Sequence, residues 1–148
     1  MLLMLKSVYE TAKRDENLSL LYRLLVERKA HESISHIDMP TWGEHSKFVD
    51  TKPYKGWYII VSDSEPVGSI YITYQNEIGI HILDDYRKKG IGTAALAELM
   101  AKHQERFYLA NINPANEKSV KFFTEKHAFK HIQNTYKLER KYDAGTGL

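Results

Sequence analysis

The sequence predicts a mixed α/β (α+β) domain in which most strands pair antiparallel and helices flank the sheet. Runs with a period of two alternate along the chain with stretches whose apolar residues recur every three or four positions. The 148 residues are the length of one domain, and a content of 43% hydrophobic and 27% charged residues is typical of globular proteins. These observations together predict one domain with a real core.

The composition excludes several classes of protein. The chain has no cysteine, so disulfides, thiolate metal sites and a cysteine nucleophile are ruled out, and its seven histidines lack the spacing of a metal site. Twenty-one basic and nineteen acidic residues give a net charge of +2, which is too balanced for a nucleic-acid-binding protein. The apolar start ends at Lys6, too early for a signal peptide or a membrane span. We therefore expect a cytoplasmic protein without a membrane partner.

The first half of the chain is predicted to hold a strand, two helices and a three-stranded meander. Residues 2–8 form the strand, and an apolar stripe over residues 17–26 predicts an amphipathic helix. A second helix is expected over residues 40–49, with Met39 or Asp38 as its cap and proline in first position. The meander is predicted as Trp57–Ser62, Val67–Tyr74 and Glu77–Leu83.

The second half is predicted to alternate helices and strands around one crossover. The elements are a helix over 91–103, a strand over 107–112, a helix over 117–126 and a strand over 129–138. Asn116 is a natural N-cap for the second of these helices. Residues 143–148 are expected to form a disordered tail, which leaves a single domain over residues 1–142.

The passage from the third meander strand into the helix at Ile91 has the character of an anion site. Three cations, Arg87, Lys88 and Lys89, precede Gly90-Ile91-Gly92 at the start of that helix. Glycines expose backbone N–H groups, and a helix N-terminus adds a positive dipole end. The alternative interpretation is a solvated basic turn. A Walker loop is excluded because Thr93-Ala94 replaces its Lys-Ser or Lys-Thr, and the dinucleotide fingerprint requires a shorter distance from the strand.

Arg87-Lys88-Lys89-Gly90-Ile91-Gly92 resembles Arg/Gln-x-x-Gly-x-Gly/Ala, the pyrophosphate loop of the GNAT superfamily of acyl-CoA-dependent N-acyltransferases. Residues 80–86 resemble that family's central strand, and residues 116–129 resemble its second signature. Order and spacing agree from Trp57 to Leu138. The resemblance implies a single-domain GNAT fold, whose mostly antiparallel sheet is splayed at the middle and flanked by about four helices.

The resemblance also implies an activity and a donor. Such proteins move an acetyl group from acetyl-CoA directly to a primary amine; the pantetheine arm pairs with the central strand and the loop takes the pyrophosphate. Phe123 stands where many members have a tyrosine that acts as general acid, and Ala128 replaces the usual glycine. The implied cofactor-binding residues are Ile80, His81, Ile82, Leu83, Arg87, Lys88, Lys89, Gly90, Ile91, Gly92, Thr93, Asn116, Ser119 and Phe123.

The general base and the acceptor residues are less closely defined. Glu77 and His81 share one face of the central strand, so either is a candidate base, against the alternatives of a solvated carboxylate and a structural polar contact. Residues 37–49 resemble relatives that acetylate nucleotide-linked amino sugars and, less closely, relatives that acetylate the N-termini of ribosomal proteins. The candidate acceptor residues are His36, Glu44, His45 and Asn111.

Two classes of function remain open at this point. The first is an N-acetyltransferase with a small amine acceptor, working as a monomer or a homodimer. The second is a coenzyme-A-binding module that senses the cofactor or binds a partner without transferring an acetyl group. The feature that favours the second is Phe123, since phenylalanine has no proton to give to a leaving thiolate.

Overall fold

The computed structural model describes residues 1–28 and 38–141 of the chain. Four strands form one antiparallel sheet in which the strand order is the chain order. The predicted tail at residues 143–148 and the acceptor candidate His36 lie outside the described residues. The strands are β1 (Leu3–Ser7), β2 (Gly56–Ser62), β3 (Glu65–Ile72) and β4 (Ile78–Ile82).

Helices cover both faces of this sheet. Two of them, α1 (Arg14–Glu27) and α2 (Trp42–Asp50), lie on one face, and α3 (Ile91–Lys102) lies on the other. A short helix, α4 (Glu117–Lys121), continues into one wide π-helical turn over Phe122–Lys126. The predicted fold class and number of helices are confirmed, and each strand of the meander lies within two residues of its predicted bounds.

The alternation of the strands divides the core into two layers. On one face, Ile60, Ile70 and Ile72 are fully buried against α3. On the other face, Trp57 and Ile59 pack with the apolar stripe of α1. Full burial of one isoleucine side chain stabilises a fold by about 1.5–3 kcal/mol, so these layers hold β2 and β3 firmly at the centre. The α1 and α2 residues of the second layer are Leu18, Leu21, Leu24 and Val49.

The start of α2 differs from its prediction. The helix begins at Trp42, not at Pro40, and Thr41 rather than Met39 or Asp38 is its N-cap. Thr41 Oγ1 accepts from the Glu44 backbone N–H at 3.1 Å, and Glu44 Oε1 accepts from the Thr41 N–H at 3.0 Å. This capping box satisfies two helix-end donors at once, which a proline in first position does not do.

The two strands predicted in the second half were wrong as strands. Residues 107–112 make a single parallel bridge, between Leu109 and Glu77, and residues 129–138 are paired with no strand in the part of the chain described. A period of two shows which face of a segment is apolar, but it does not show that a neighbouring strand is present to accept its hydrogen bonds.

The turn after α4 contains a strained residue. Ala128 adopts a φ of 60°, in the left-handed region. The Phe129 N–H donates to the Phe123 carbonyl at 2.9 Å. This hydrogen bond closes the turn that contains Ala128. Glycine adopts this conformation without a steric penalty, whereas a Cβ makes it costly.

Replacing Ala128 with glycine should therefore stabilise the protein. We expect Ala128→Gly to raise the free energy of unfolding by about 1 kcal/mol, measured by urea denaturation, because the left-handed turn loses its steric penalty. The matched control is Ala97→Gly on the exposed face of α3, which should lower it by about 1 kcal/mol. A loss of stability in both variants would contradict the strain at Ala128.

Candidate functional site

Strand β4 is hydrogen-bonded to β3 through every second residue. The Leu83 N–H donates to the Val67 carbonyl at 2.9 Å, and the Thr73 N–H donates to the Glu77 carbonyl at 2.9 Å. The odd-numbered residues of this stretch therefore direct their backbone groups toward β3. In an antiparallel ladder the residues between them direct theirs to the opposite side.

That opposite side of β4 is an open edge. The Ile78 N–H donates away from β3, to the Leu109 carbonyl at 2.8 Å. By the same alternation Ile80 and Ile82 point their backbone groups outward, and the Ile82 carbonyl accepts from Arg87 Nε at 3.2 Å. Because the described chain after Leu109 makes no further pairing with β4, the edge from Ile80 onward can receive an added strand.

The cationic loop follows at the end of this edge. A 3₁₀ turn over Asp84–Tyr86 leads to Arg87, which is paired with Asp84 at 3.3 Å. Lys88 is exposed with a φ of 63°, and the ammonium of Lys89 lies over the Tyr86 ring, 5.6 Å from its centroid. Helix α3 begins directly after this loop, and its N-cap is a glycine, which has no side chain to cap the first turn. The predicted cations and the helix N-terminus are thus brought together.

Two glycines shape the start of α3. Gly90 has a φ of 77°, which glycine favours, and it leaves open space where a Cβ would stand. A Cβ on Gly92 would lie 3.3 Å from the Phe122 ring, so α3 packs closely on the turn after α4. Thr93 Oγ1 lies 3.2 Å from Nε2 of His127 in that same turn. The turn after α4 therefore supports the first turn of α3.

Glu77 and Asn111 meet where β4 and the following segment separate. Asn111 Nδ2 donates to Glu77 Oε2 in a close contact, and Thr73 Oγ1 donates to Glu77 Oε1 at 3.2 Å. The carboxylate is half-buried and is oriented by a donor on each oxygen. Two residues that the sequence placed on separate strands are thereby brought into one site.

His81 lies on the same face of β4 but is in contact with the end of α1. Nη2 of Arg28, the residue after α1, lies 3.3 Å from Nδ1 and 3.2 Å from Nε2 of the His81 ring. Guanidinium groups carry a permanent charge and have no acceptor to receive a proton. An amine that approaches either ring nitrogen meets this cation, so Glu77 is the better placed of the two candidate bases.

The two acceptor candidates on α2 have structural partners. His45 is only 4% exposed, and its Nε2–H donates to the Leu18 carbonyl at 3.1 Å, which ties α2 to α1. Burial lowers the pKa of His45, so the ring is neutral at pH 7. The neighbouring Glu44 is exposed; hydrogen bonds from Thr41, chiefly from its backbone N–H, lower the pKa of this carboxyl.

The second signature contributes a helix cap and a core aromatic. Asn116 Oδ1 accepts from the Ser119 N–H at 3.2 Å, which confirms the predicted N-cap of α4. Phe123 is buried, with its ring centroid 5.0 Å from that of Phe122 and 5.1 Å from that of Phe129. Phe123 therefore fills an aromatic cluster between the turn and the segment after it.

A wall of aromatic rings, not anticipated from the sequence, covers the Glu77 face of β4. The Tyr71 ring lies over Gly79, where a Cβ would come within 2.2 Å of it, and Tyr54 stacks on Tyr71 at 4.0 Å. Trp57 packs edge-on against Tyr54 at 4.7 Å. Burial is the main cause that raises the pKa values of Tyr54 and Tyr71, so both hydroxyls stay protonated. One sequence signal for this packing was available: Gly79 pairs with Tyr71 in the hairpin of β3 and β4, and a glycine opposite an aromatic residue leaves space for the ring.

The family comparison agrees with this arrangement. The model of the acetyltransferase (GNAT) family matches residues 10–129. The chain belongs to this family. It is therefore an acyltransferase of the GNAT type.

Solved structures share the fold of this GNAT domain. An N-acetyltransferase from Staphylococcus aureus has a TM-score of 0.65 and 20% identity, over 90% of this chain and 86% of that one. An acetyltransferase from Thermus thermophilus has a TM-score of 0.64 and 19% identity over 86% of both chains. RimL, a ribosomal alpha-N-protein acetyltransferase in complex with coenzyme A, has a TM-score of 0.64 and 17% identity, over 84% of this chain and 78% of that one. A search of curated proteins gave no match.

Two further features concern metal-ligating side chains and apolar helices. Within residues 1–28 and 38–141, no three histidine or acidic side chains gather as a metal site would require. No helix in these parts of the chain has the length and apolar character needed to cross a membrane.

The fit of Tyr71 over Gly79 gives a prediction about stability. We expect Gly79→Ala to lower the free energy of unfolding by about 1–3 kcal/mol, because the added methyl group displaces the Tyr71 ring from its stack with Tyr54. Urea denaturation measures the effect. The control is Gly43→Ala on α2, where a Cβ meets nothing within 4 Å and alanine favours the helix, so stability should hold or rise. Equal stability of the Gly79 variant and the parent would contradict the packing.

Proposed function

We propose that this GNAT protein transfers an acetyl group from acetyl-CoA directly to a primary amine of a small acceptor. One observation carries the proposal: a single strand, β4, joins an oriented carboxylate at its start to a cationic glycine loop at its end, with an open edge between them. Membership of the family supports the reaction type.

The open edge suits the arm of the donor. Pantetheine contains two amides. The outward N–H and carbonyl of Ile80 and the outward N–H of Ile82 face the open edge at strand spacing, about 3.3 Å per residue, while the Ile82 carbonyl accepts from Arg87. Acetyl-CoA supplies the activated acyl group as a thioester. In this proposal Ile80 to Leu83 receive the arm. RimL, which shares the fold, is in complex with coenzyme A, and this likeness gives further support.

The loop suits the pyrophosphate of the donor. Backbone N–H groups of Ile91, Gly92 and Thr93 lie in the first turn of α3, where the helix dipole favours an anion. Lys88 and Lys89 add charge beside them. We propose Asn116, Ser119 and Phe123 as the far wall of the thioester end, and the hydrogen bond between the first two holds that wall at the start of α4.

Glu77 is the proposed general base. An amine at neutral pH arrives protonated, and it must lose a proton before or during attack. The carboxylate of Glu77 accepts this proton, oriented by Thr73 on one oxygen and Asn111 on the other. Asn111, an amide, holds the carboxylate and takes no proton itself.

Departure of the thiolate proceeds without Phe123 as an acid. A carbon–nitrogen bond forms and the carbon–sulfur bond breaks, and the phenylalanine ring has no proton to give. Thiols have pKa values of about 8.5, so a thiolate leaves readily. It is protonated afterwards through water, to which Glu77 returns the proton that it took from the amine. Phe123 serves this reaction by packing, not by chemistry.

The narrower acceptor proposal is an amino sugar linked to a nucleotide. It rests on the resemblance of residues 37–49, of which 38–49 are described. Within that stretch Glu44 caps α2 and His45 ties α2 to α1, so their contacts in the structure serve the fold. We propose instead that the aromatic rings of Tyr54, Trp57 and Tyr71, which pack on one another beside Gly79, form the wall that faces the acceptor.

A screen of amines tests the proposed function. We expect free thiol to be released from acetyl-CoA only when protein and an accepting amine are both present, measured with a thiol-reactive dye; nucleotide-linked amino sugars and simple amino sugars form two arms. Coenzyme A should also raise Tm, since binding at 100 times Kd stabilises the folded state by about 2.7 kcal/mol. Stabilisation without thiol release for any amine would identify a binding module instead. No stabilisation would refute the cofactor site.

The role of Glu77 gives a separate prediction. Glu77→Gln keeps the size of the side chain and one acceptor oxygen for Asn111, and the Thr73 hydroxyl can turn to accept from the new amide. The amide cannot accept a proton, so kcat should fall about 10²–10⁴-fold, the usual contribution of a positioned base. Activity should recover as the pH approaches the pKa of the amine, while the Kd for coenzyme A stays unchanged. The control is Glu98→Gln, an exposed position on α3, which should retain full turnover. Near-native kcat of the Glu77 variant at neutral pH would refute the assignment.

A further inference from the structure

A permanent positive charge lies on the same face of the sheet as Glu77. Arg28 follows α1 directly, and its Nη2 lies 3.3 Å from Nδ1 and 3.2 Å from Nε2 of the His81 ring. Glu77, Gly79 and His81 alternate with the isoleucines of β4, so they share one face. A guanidinium group remains charged throughout the physiological pH range. This face therefore carries a carboxylate at one end of β4 and a cation at the other.

The aromatic rings of Tyr54 and Tyr71 lie between these two charges. The hydroxyl end of the Tyr71 ring lies over Gly79, midway along the face, and Tyr54 stacks on Tyr71 at 4.0 Å. Burial raises the pKa of both tyrosines, and the positive charge of Arg28 opposes that rise in each of them. The charge of Glu77 adds to the rise in the pKa of Tyr71. The Tyr71 hydroxyl is therefore within electrostatic reach of both charges.

The spacing of the two charges limits the kind of molecule that meets both. Glu77 and His81 are four residues apart in an extended segment, which corresponds to about 13 Å at 3.3 Å per residue. An amine near Glu77 and an anion near Arg28 therefore belong to different ends of one molecule. An α-amino acid, whose amine and carboxylate share one carbon, is too short. A sugar that carries an amine and, several atoms away, an anionic group has the required length.

We propose that Arg28 binds an anionic group of the acceptor, a phosphate or a carboxylate, while the amine at the other end of the acceptor faces Glu77. This role rests on the proposed function and adds to it the charge of the acceptor and the residue that recognises it. A guanidinium recognises either anion through two parallel N–H···O bonds, and the Tyr71 hydroxyl supplies a further donor. His81, which contacts the guanidinium, is then a positioning residue.

The two charges also orient the acceptor. Glu77 and Arg28 are both partly buried, so their charges are screened less than those of exposed side chains. A protonated amine is attracted by Glu77 and repelled by Arg28, and the reverse holds for a phosphate or a carboxylate. An acceptor with one amine and one anionic group is therefore favoured in a single orientation, with its amine at the proposed base.

Amino sugars that differ chiefly in charge test this proposal. Thiol release from acetyl-CoA is measured with glucosamine, with its 1-phosphate and 6-phosphate, and with glucosaminic acid, which carries a carboxylate. We expect kcat/KM to be about 10–100-fold higher for at least one anionic compound than for glucosamine, the usual gain from a charge-assisted hydrogen bond. The compound that shows the gain identifies the anion. Equal kcat/KM for all four compounds would overturn the role of Arg28.

Variants of Arg28 assign the preference to this side chain. Arg28→Gln should reduce the ratio of the two kcat/KM values to about one, mainly through a higher KM for the anionic compound, and Arg28→Lys, which keeps the charge, should retain part of the ratio. The matched control, Arg106→Gln, replaces an exposed arginine and should retain all of it. An unchanged ratio in Arg28→Gln would contradict the proposal. Circular dichroism verifies that each variant is folded.

A binding measurement separates this proposal from the proposed function. Calorimetric titration of the same four compounds into the protein, with coenzyme A present, requires no turnover. Binding of an anionic compound that is about 10-fold tighter than that of glucosamine, and that is lost in Arg28→Gln, would support Arg28 even without thiol release, a result that would refute acetyl transfer alone. Thiol release without discrimination by charge would support the transferase and refute Arg28. No binding of any anionic compound would also overturn the proposal.

Discussion

The unpaired edge of β4 is the constraint on which the site depends. A strand buried in a sheet satisfies its backbone groups on both sides, but within the described residues β4 pairs only with β3 and, at Ile78, with Leu109. Strand edges left in this state attract another chain or ligand that can complete the ladder. The loss of pairing after Leu109 therefore leaves the edge along which the proposed donor would lie, and the cationic loop follows directly at the end of that edge.

The same alternation along β4 separates the residues of the proposed donor-binding edge from Glu77, the proposed base. Even-numbered residues of β4 present outward backbone groups and send their side chains into the α3 layer, whereas Glu77, Gly79 and His81 face the layer of α1 and α2. In the proposed function isoleucines suffice along this edge, because the contacts that the donor would make there involve the backbone. The opposite face carries the carboxylate of Glu77, the proposed base, and Gly79, over which the Tyr71 ring lies.

The sequence was sufficient for the elements that carry their own local signal. The meander and the cationic loop followed from strand periodicity and from glycine and charge placement, and Asn116 followed from cap chemistry. The start of α2 was misplaced because Pro40 and Thr41 both favour a helix start, and the reciprocal bonds of Thr41 with Glu44 decide between them.

What could not be predicted depends on contacts between distant parts of the chain. The meeting of Asn111 with Glu77, the contact of Arg28 with His81 and the stack of Tyr54 on Tyr71 join residues far apart in sequence, and no local pattern encodes them. The predicted strand over 129–138 was wrong for a related reason, since a strand is defined by its partner and its periodicity supplies only one side of the pair.

The turn from Phe122 to Phe129 links the two ends of this arrangement. Phe122 lies against Gly92, and His127 lies against Thr93, so this turn supports the first turn of α3, where the loop ends. It also contains both departures from the family pattern, Phe123 in its core and Ala128 at its exit. With Phe123 the turn gains an apolar contact to Phe129, and with Ala128 it gains a fixed exit direction. Phe123, which has no proton to donate, therefore anchors Phe129 through its ring and its carbonyl, directly after the left-handed Ala128.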